Sequence, residues 1–160
     1  MKITLLAYIL LSLALIGIGS CKKDSSSTPA ADIITFKATI NGENEIPANA
    51  SVASGTATFT YNTITYVLNG TVNYAGVLPT AAHIQKGAEG VSGAIVFQVG
   101  AAPYTSPISF NSNPLTASQI TELLANLYYV NIDSKAFPNG EIRGQLIEQT
   151  SSTSATTGGN

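Results

Sequence analysis

The chain has one cysteine, one histidine, one arginine and no tryptophan among its 160 residues. A single cysteine excludes any disulfide within the chain, and a single histidine excludes every histidine-rich metal cage. Charge is scarce as well, with charged residues making up 10% of the total where an average soluble domain has about one quarter. Seven basic against nine acidic side chains leave a net charge of −2. The Lys/Arg field that phosphate backbones require is therefore missing, which argues against nucleic acid as a partner. Small polar residues take the place of charge: 18 Thr, 16 Ser and 12 Asn. Such a surface suits strands and turns better than helices. The length accommodates one domain of ordinary size.

The N-terminus carries an address. Lys2 precedes a charge-free, densely apolar run from Ile3 to Ser20, the pattern of a secretory signal peptide. About 18 apolar residues can also just span a bilayer. A spanning helix, however, has no need of the small residues Gly19 and Ser20 directly before the only cysteine. Ile18-Gly19-Ser20-Cys21, followed by Lys22-Lys23-Asp24, resembles a bacterial lipobox. That resemblance implies cleavage before Cys21 and acylation of its sulfur and its new amino group. Two or three acyl chains, at about 0.8 kcal/mol per buried methylene, hold a protein on a membrane far more firmly than one. Residues 1–20 are thus expected to be a lipoprotein signal peptide and 21–31 a flexible tether after lipidated Cys21. The domain proper is expected over 32–149, with a disordered tail over 150–160. The expected location is the bacterial cell envelope, lipid-anchored and facing the periplasm or the cell exterior.

Between tether and tail, apolar and polar residues alternate with period two in Ile34-Thr35-Phe36-Lys37-Ala38-Thr39-Ile40 and again in Gly55 to Tyr61. Asn41-Gly42 marks a turn. Further strands are expected over Ile64–Tyr74, Ala94–Val99, Tyr128–Ile132 and Glu141–Ile147, and Gly100 to Asn113 reads as a long loop. One segment departs from this pattern. Thr116-Ala117-Ser118-Gln119 has capping-box spacing, and Ile120, Leu123, Leu124 and Leu127 stand at helical intervals. The pattern predicts a helix of about three turns near Ala117 to Asn126. An all-β, antiparallel sandwich with one short helix is the expected architecture.

Four segments in order carry a further resemblance: Ala38 to Pro47, Ala82-His83-Ile84-Gln85-Lys86-Gly87, Tyr129-Val130-Asn131-Ile132-Asp133, and Phe137-Pro138-Asn139-Gly140-Glu141-Ile142-Arg143-Gly144-Gln145-Leu146. Together they resemble the chordin-type (CHRD) domain, a module of extracellular proteins that also occurs in secreted and lipid-anchored bacterial proteins. The resemblance implies an immunoglobulin-like sandwich distantly similar to copper-zinc superoxide dismutase. It singles out His83, Gln85, Asp133, Glu141 and Arg143 as family-motif residues, structural or binding. Family members commonly have histidine where this chain has Gln85 and Asp133, so two imidazoles are lost. A superoxide-dismutase-like copper site needs several imidazoles, and His83 alone does not build one.

Each candidate has a plainer reading. His83 precedes a Gly-rich turn, where a histidine bonded to backbone is commoner than a metal ligand joined by Asp133 and Glu141. No Gly-x-Ser-x-Gly elbow exists for a serine hydrolase. Glu43 and Glu45 would share a face of an extended segment as a glycosidase pair does, but with no tryptophan to wall a sugar cleft they read as exposed carboxylates beside a turn. Asp133, Asn131, Asn139 and Glu141 offer oxygens to calcium without an EF-hand spacing. Glu141 and Arg143 share a strand face, and Arg143 reads as a clamp tying loop carbonyls, with Glu141, Asp133 or another carboxylate as its pair. Tyr128 and Tyr129 are neighbours in a strand, so one of them should face outward. The expectation for function is a non-enzymatic binding or structural module. It is held at the membrane through Cys21, requires no cofactor or metal, and presents loops to a protein or glycan partner. The enzymatic alternative is a degenerate metal site near His83 and Asp133.

Overall fold

The computed structural model describes residues 32–150. The expected signal peptide, Cys21, the expected tether up to residue 31 and the expected tail from residue 151 lie outside the described residues. Nine strands and one helix follow in chain order: β1 (Ile33–Asn41), β2 (Ser54–Asn62), β3 (Leu68–Ala75), β4 (Pro79–Lys86), β5 (Ile95–Gln98), β6 (Ile108–Asn111), α1 (Ala117–Leu124), β7 (Tyr128–Ser134), β8 (Ile142–Gln145) and β9 (Ile147–Glu148).

The antiparallel all-β architecture with one short helix is the one expected. Its strands join in one continuous sheet of order β5-β4-β7-β8-β1-β2-β3-β6, with β9 on β1. The sheet curls until its two ends face each other. Phe97 on β5 and Phe110 on β6, strands from opposite ends of that order, bring their ring centroids to 5.6 Å, and Phe59 and Tyr128 join the same aromatic group. Sandwich-like enclosure is thus completed by side chains, without hydrogen bonds between β5 and β6.

Period-two alternation explains the core. Phe36, Ala38 and Ile40 of β1 point inward, as do Ala57, Phe59 and Tyr61 of β2, while the intervening threonines and Lys37 stay at the surface or part-way in. From the other half of the sheet, Ala82, Ile84, Val130, Ile132 and Ile142 meet them in a single hydrophobic cluster. At about 25 cal/mol per Å² of apolar surface removed from water, this cluster supplies the main force that holds the curl closed.

Several local expectations are corrected. β3 begins at Leu68, not at Ile64, because the Asn62 side chain accepts from the amides of Ile64 and Thr65 and Tyr66 turns through φ +60°. The segment read as a long loop, Gly100 to Asn113, contains β6, which pairs with β3. His83 lies in the middle of β4, paired with β7 on one side and β5 on the other, and not at a loop. Thr116 and Gln119 form the expected capping box, but α1 stops at Leu124, about two turns long. Ala125 caps it and Asn126 leaves at φ +55°.

Candidate functional site

β7 is buried along its whole length, on both faces. Tyr128, Val130 and Ile132 enter the apolar core. Tyr129, Asn131 and Asp133 alternate to the opposite face. Directly paired residues share a face, so His83 and Gln85 of β4 and Arg143 and Gln145 of β8 lie on the same side as Asn131 and Tyr129. This is the outer side of the sheet, and solvent would cover it but for three loops. The outward-facing tyrosine expected from alternation is indeed Tyr129, yet it is 1% exposed.

The first loop follows β1. Asn41 opens a 3-10 turn over Gly42–Asn44 by accepting the Asn44 amide. Asn44 Nδ2 then donates to the carbonyls of Thr39 and Arg143 at 3.1 Å, and Asn49 Nδ2 donates to the carbonyl of Glu141 at 3.0 Å. Ser51 Oγ donates to Glu141 Oε1 at 2.7 Å. Glu141 thereby fastens this loop and takes no part with Arg143. The turn also separates two acids read as companions: Glu43 stays exposed while Glu45 is carried inward to 7% exposure. The exposed-carboxylate reading fails for Glu45 because the backbone here is a turn and not an extended segment.

The second loop, between β4 and β5, is held by Arg143. Its Nη2 donates to the carbonyls of Val91 at 2.9 Å and Ala88 at 3.4 Å, and its guanidinium lies 3.5 Å from the centroid of the Tyr129 ring. No carboxylate stands at ion-pair distance from it among the described residues, so the expected carboxylate partner is replaced by carbonyls and an aromatic face. The Gly93 amide donates to Tyr129 Oη, which itself donates to Gln85 Oε1. A Cβ on Gly93 would fall 1.5 Å from the carbonyl oxygen of Lys86, so this loop lies on the sheet only with glycine there. The third loop runs from Phe137 to Gly140, and the carbonyl of Asn139 accepts from Asn131 Nδ2 at 3.3 Å.

Between the loops remains a cleft of about 310 Å³, floored by Glu45, Asn131 and Asp133 and edged by Ile46, Ile95 and Pro138. Its floor is short of donors. Glu45 Oε1, Asn131 Oδ1 and Asp133 Oδ1 are buried and accept no hydrogen bond from the protein. Asp133 Oδ2 is 3.4 Å from His83 Nδ1, close enough to couple as charges but not aligned as a hydrogen bond. Burial pushes the Glu45 carboxyl up to about 7, Arg143 opposing and Asp133 adding to the rise. Burial likewise raises Asp133, with His83 opposing.

His83, Gln85, Asp133 and Arg143 are therefore neighbours on one covered face, and Glu141 stands at its margin. Glu45 and Asn131 complete the floor. The sequence suggests Asn131 only as a calcium ligand, and it carries no local signal for the burial of Glu45. No three His, Cys, Asp or Glu side chains converge as a metal-binding group among the described residues. This donor set does not fit a superoxide-dismutase-like copper or zinc site, nor the calcium set that included Glu141, whose carboxylate is engaged by Ser51.

A curled antiparallel sheet with loops fastened over one polar face defines an all-β, β-sandwich-like module. Residues 36–146 match the family model of the CHRD domain, and the chain belongs to that family. No curated protein and no solved structure matches it.

Proposed function

We propose that the chain is a cell-envelope lipoprotein, anchored through Cys21, whose CHRD domain is a non-enzymatic binding module. The anchoring half of this reading rests on the apolar run and Ile18-Gly19-Ser20-Cys21. The binding half rests on one observation: a rigid sheet face carries buried acceptors that its own loops leave without donors, at the floor of an open cleft. A buried polar group without a partner costs about 1 to 3 kcal/mol. A fold that keeps three together gains by accepting a ligand that supplies the donors.

Two measurements test the reading. Wild type is expected cut before Cys21 and carrying the mass of its acyl chains, and Cys21→Ser without acyl chains and uncut at that position; tight membrane association of Cys21→Ser at a mass unchanged from wild type would refute the anchor. A photo-crosslinking residue at Ile95, exposed on the cleft rim, is expected to trap an envelope component that one at exposed Thr65, in the β2–β3 turn, does not. Equal trapping at both positions, or none at either, would refute the binding role of this cleft.

A further inference from the structure

We infer that the cleft receives a primary alkylammonium group, its nitrogen seated among Glu45 Oε1, Asn131 Oδ1 and Asp133 Oδ1 and its methylene stem lying between Ile46, Ile95 and Pro138. The inference rests on the binding reading above and names the chemistry of its ligand.

The three oxygens belong to residues from three different places in the chain, the loop after β1 and two positions of β7, and all three residues line the same cleft. Their residues are 7%, 3% and 8% exposed, and none of the three oxygens has a hydrogen-bond partner in the protein. All are acceptors. The complement of three convergent acceptors is one group with three donors, and an ammonium is such a group. Gly140 brings two of the oxygens close together: a Cβ there would fall 2.6 Å from Glu45 Oε1 and 2.7 Å from Asn131 Oδ1, at a backbone φ of +133°, so only glycine fits beside them. His83 Nδ1 stands 3.4 Å from the other oxygen of Asp133, Oδ2, and Oδ1 is left without a partner.

Charge separates this ligand from a divalent cation. Glu45 and Asp133 bring two negative charges when ionised, and Arg143, lining the same cleft, brings one positive. With both carboxyls ionised, which for Glu45 means above about pH 7, the carboxylate and guanidinium charges sum to one negative, which one ammonium neutralises and a dication overshoots. Calcium would also require six to eight oxygens where the floor presents three without partners. The apolar rim completes the match, because Ile46 and Ile95 are 44% and 56% exposed and offer aliphatic walls to an aliphatic stem. A volume of about 310 Å³ is at the small end of ligand clefts, which run from about 300 to 1,000 Å³.

A lysine side chain of a partner protein and a free diamine share this chemistry. Calorimetric titration of the full chain in detergent, with Nα-acetyl-lysine methylamide and with cadaverine, tells the two sources apart by which binds more tightly. Saturable one-to-one binding of at least one is expected, with tetramethylammonium, which has a charge but no N–H donor, at least about tenfold weaker. Glu45→Gln and Asp133→Asn, each verified by a cooperative melt, are expected to weaken the amine at least about tenfold, the usual result of removing one charge from a buried ion pair. Absence of saturable binding by both amines, tetramethylammonium binding as tightly as either, or a Glu45→Gln variant that binds unchanged would overturn the inference. If the amines fail while the Ile95 crosslink still forms, the ligand class is wrong and the binding module stands; if both fail, so does the module.

Discussion

Arg143 lies flat against Tyr129, its guanidinium carbon 3.5 Å from the ring centroid, and both side chains are sealed beneath the loop that Arg143 itself holds through Ala88 and Val91. The contact joins β8 to β7 on the polar face, where no apolar core is available to do so. It makes the chain's only arginine the tie between sheet and loop.

Removing that tie should be costly. Arg143→Ala strands the carbonyl of Val91, at about 1 to 3 kcal/mol where it stays buried, while that of Ala88 keeps the Val91 amide, and forfeits a cation–π contact of about 0.5 to 2 kcal/mol. A fall of about 10 °C or more in melting temperature is expected for a domain of this size. Arg143→Lys should recover only part, because an ammonium cannot stack its plane on Tyr129 while reaching two carbonyls. A thermal melt of Arg143→Ala that coincides with wild type would show that the loop is held by something else.

Glu45 makes stability depend on pH in an unusual direction for a carboxyl. Its value rises from 4.5 in the unfolded chain to about 7 in the fold, so the folded state holds the proton more tightly. The corresponding stabilisation is complete below about 4.5 and is lost as pH rises through about 7, on the order of 3 kcal/mol in all. Arg143 and Asp133 are the charged groups that act on Glu45, and His83 stands behind Asp133. Asp133, also raised by burial, contributes in the same direction. Glu45→Gln isolates the Glu45 part: urea denaturation across this window should give wild type a steeper loss of stability with rising pH than the variant. Parallel pH profiles would refute the assignment.

What could be read from the sequence, and what could not, follows from how far apart the cooperating residues lie. Strands β1, β2 and β7 show their period of two because their neighbours in sequence already define the two faces. The capping box at Thr116 and Gln119 is likewise local, and so is the need of a lone arginine for several acceptors. β4 is different. Its alternation is confined to Ala82-His83-Ile84-Gln85, a run of four residues between Pro79-Thr80-Ala81 and the turn at Gly87, too short to mark a strand by itself. β6 is four residues long and sits among prolines, asparagines and serines. The burial of Glu45 and Tyr129 depends on contacts between residues far apart in the chain, Asn49 with Glu141 and Gly93 with Tyr129. No window of the chain contains that information.

The aromatic seam is where the curl of the sheet can be tested. Phe97 and Phe110 sit on strands that do not hydrogen-bond to each other, at opposite ends of the strand order, with centroids 5.6 Å apart and planes at 60°. If the two ends of the sheet are joined by this contact, the rings must contribute jointly. Each is partly buried, so Phe97→Ala and Phe110→Ala should each cost about 2 kcal/mol, less than the roughly 3 to 5 kcal/mol of a fully buried ring. Aromatic pairs add about 0.5 to 1.5 kcal/mol beyond their area burial, so the double variant should lose less than the sum of the single ones by about that amount. Phe59→Ala alters the inner side of the same group and serves as the comparison, since its ring also meets Phe110 at 5.8 Å. Equilibrium unfolding of wild type, both single variants and the double variant measures the coupling directly. Strict additivity would mean that the two edges do not meet in solution and that the sheet is open at this seam.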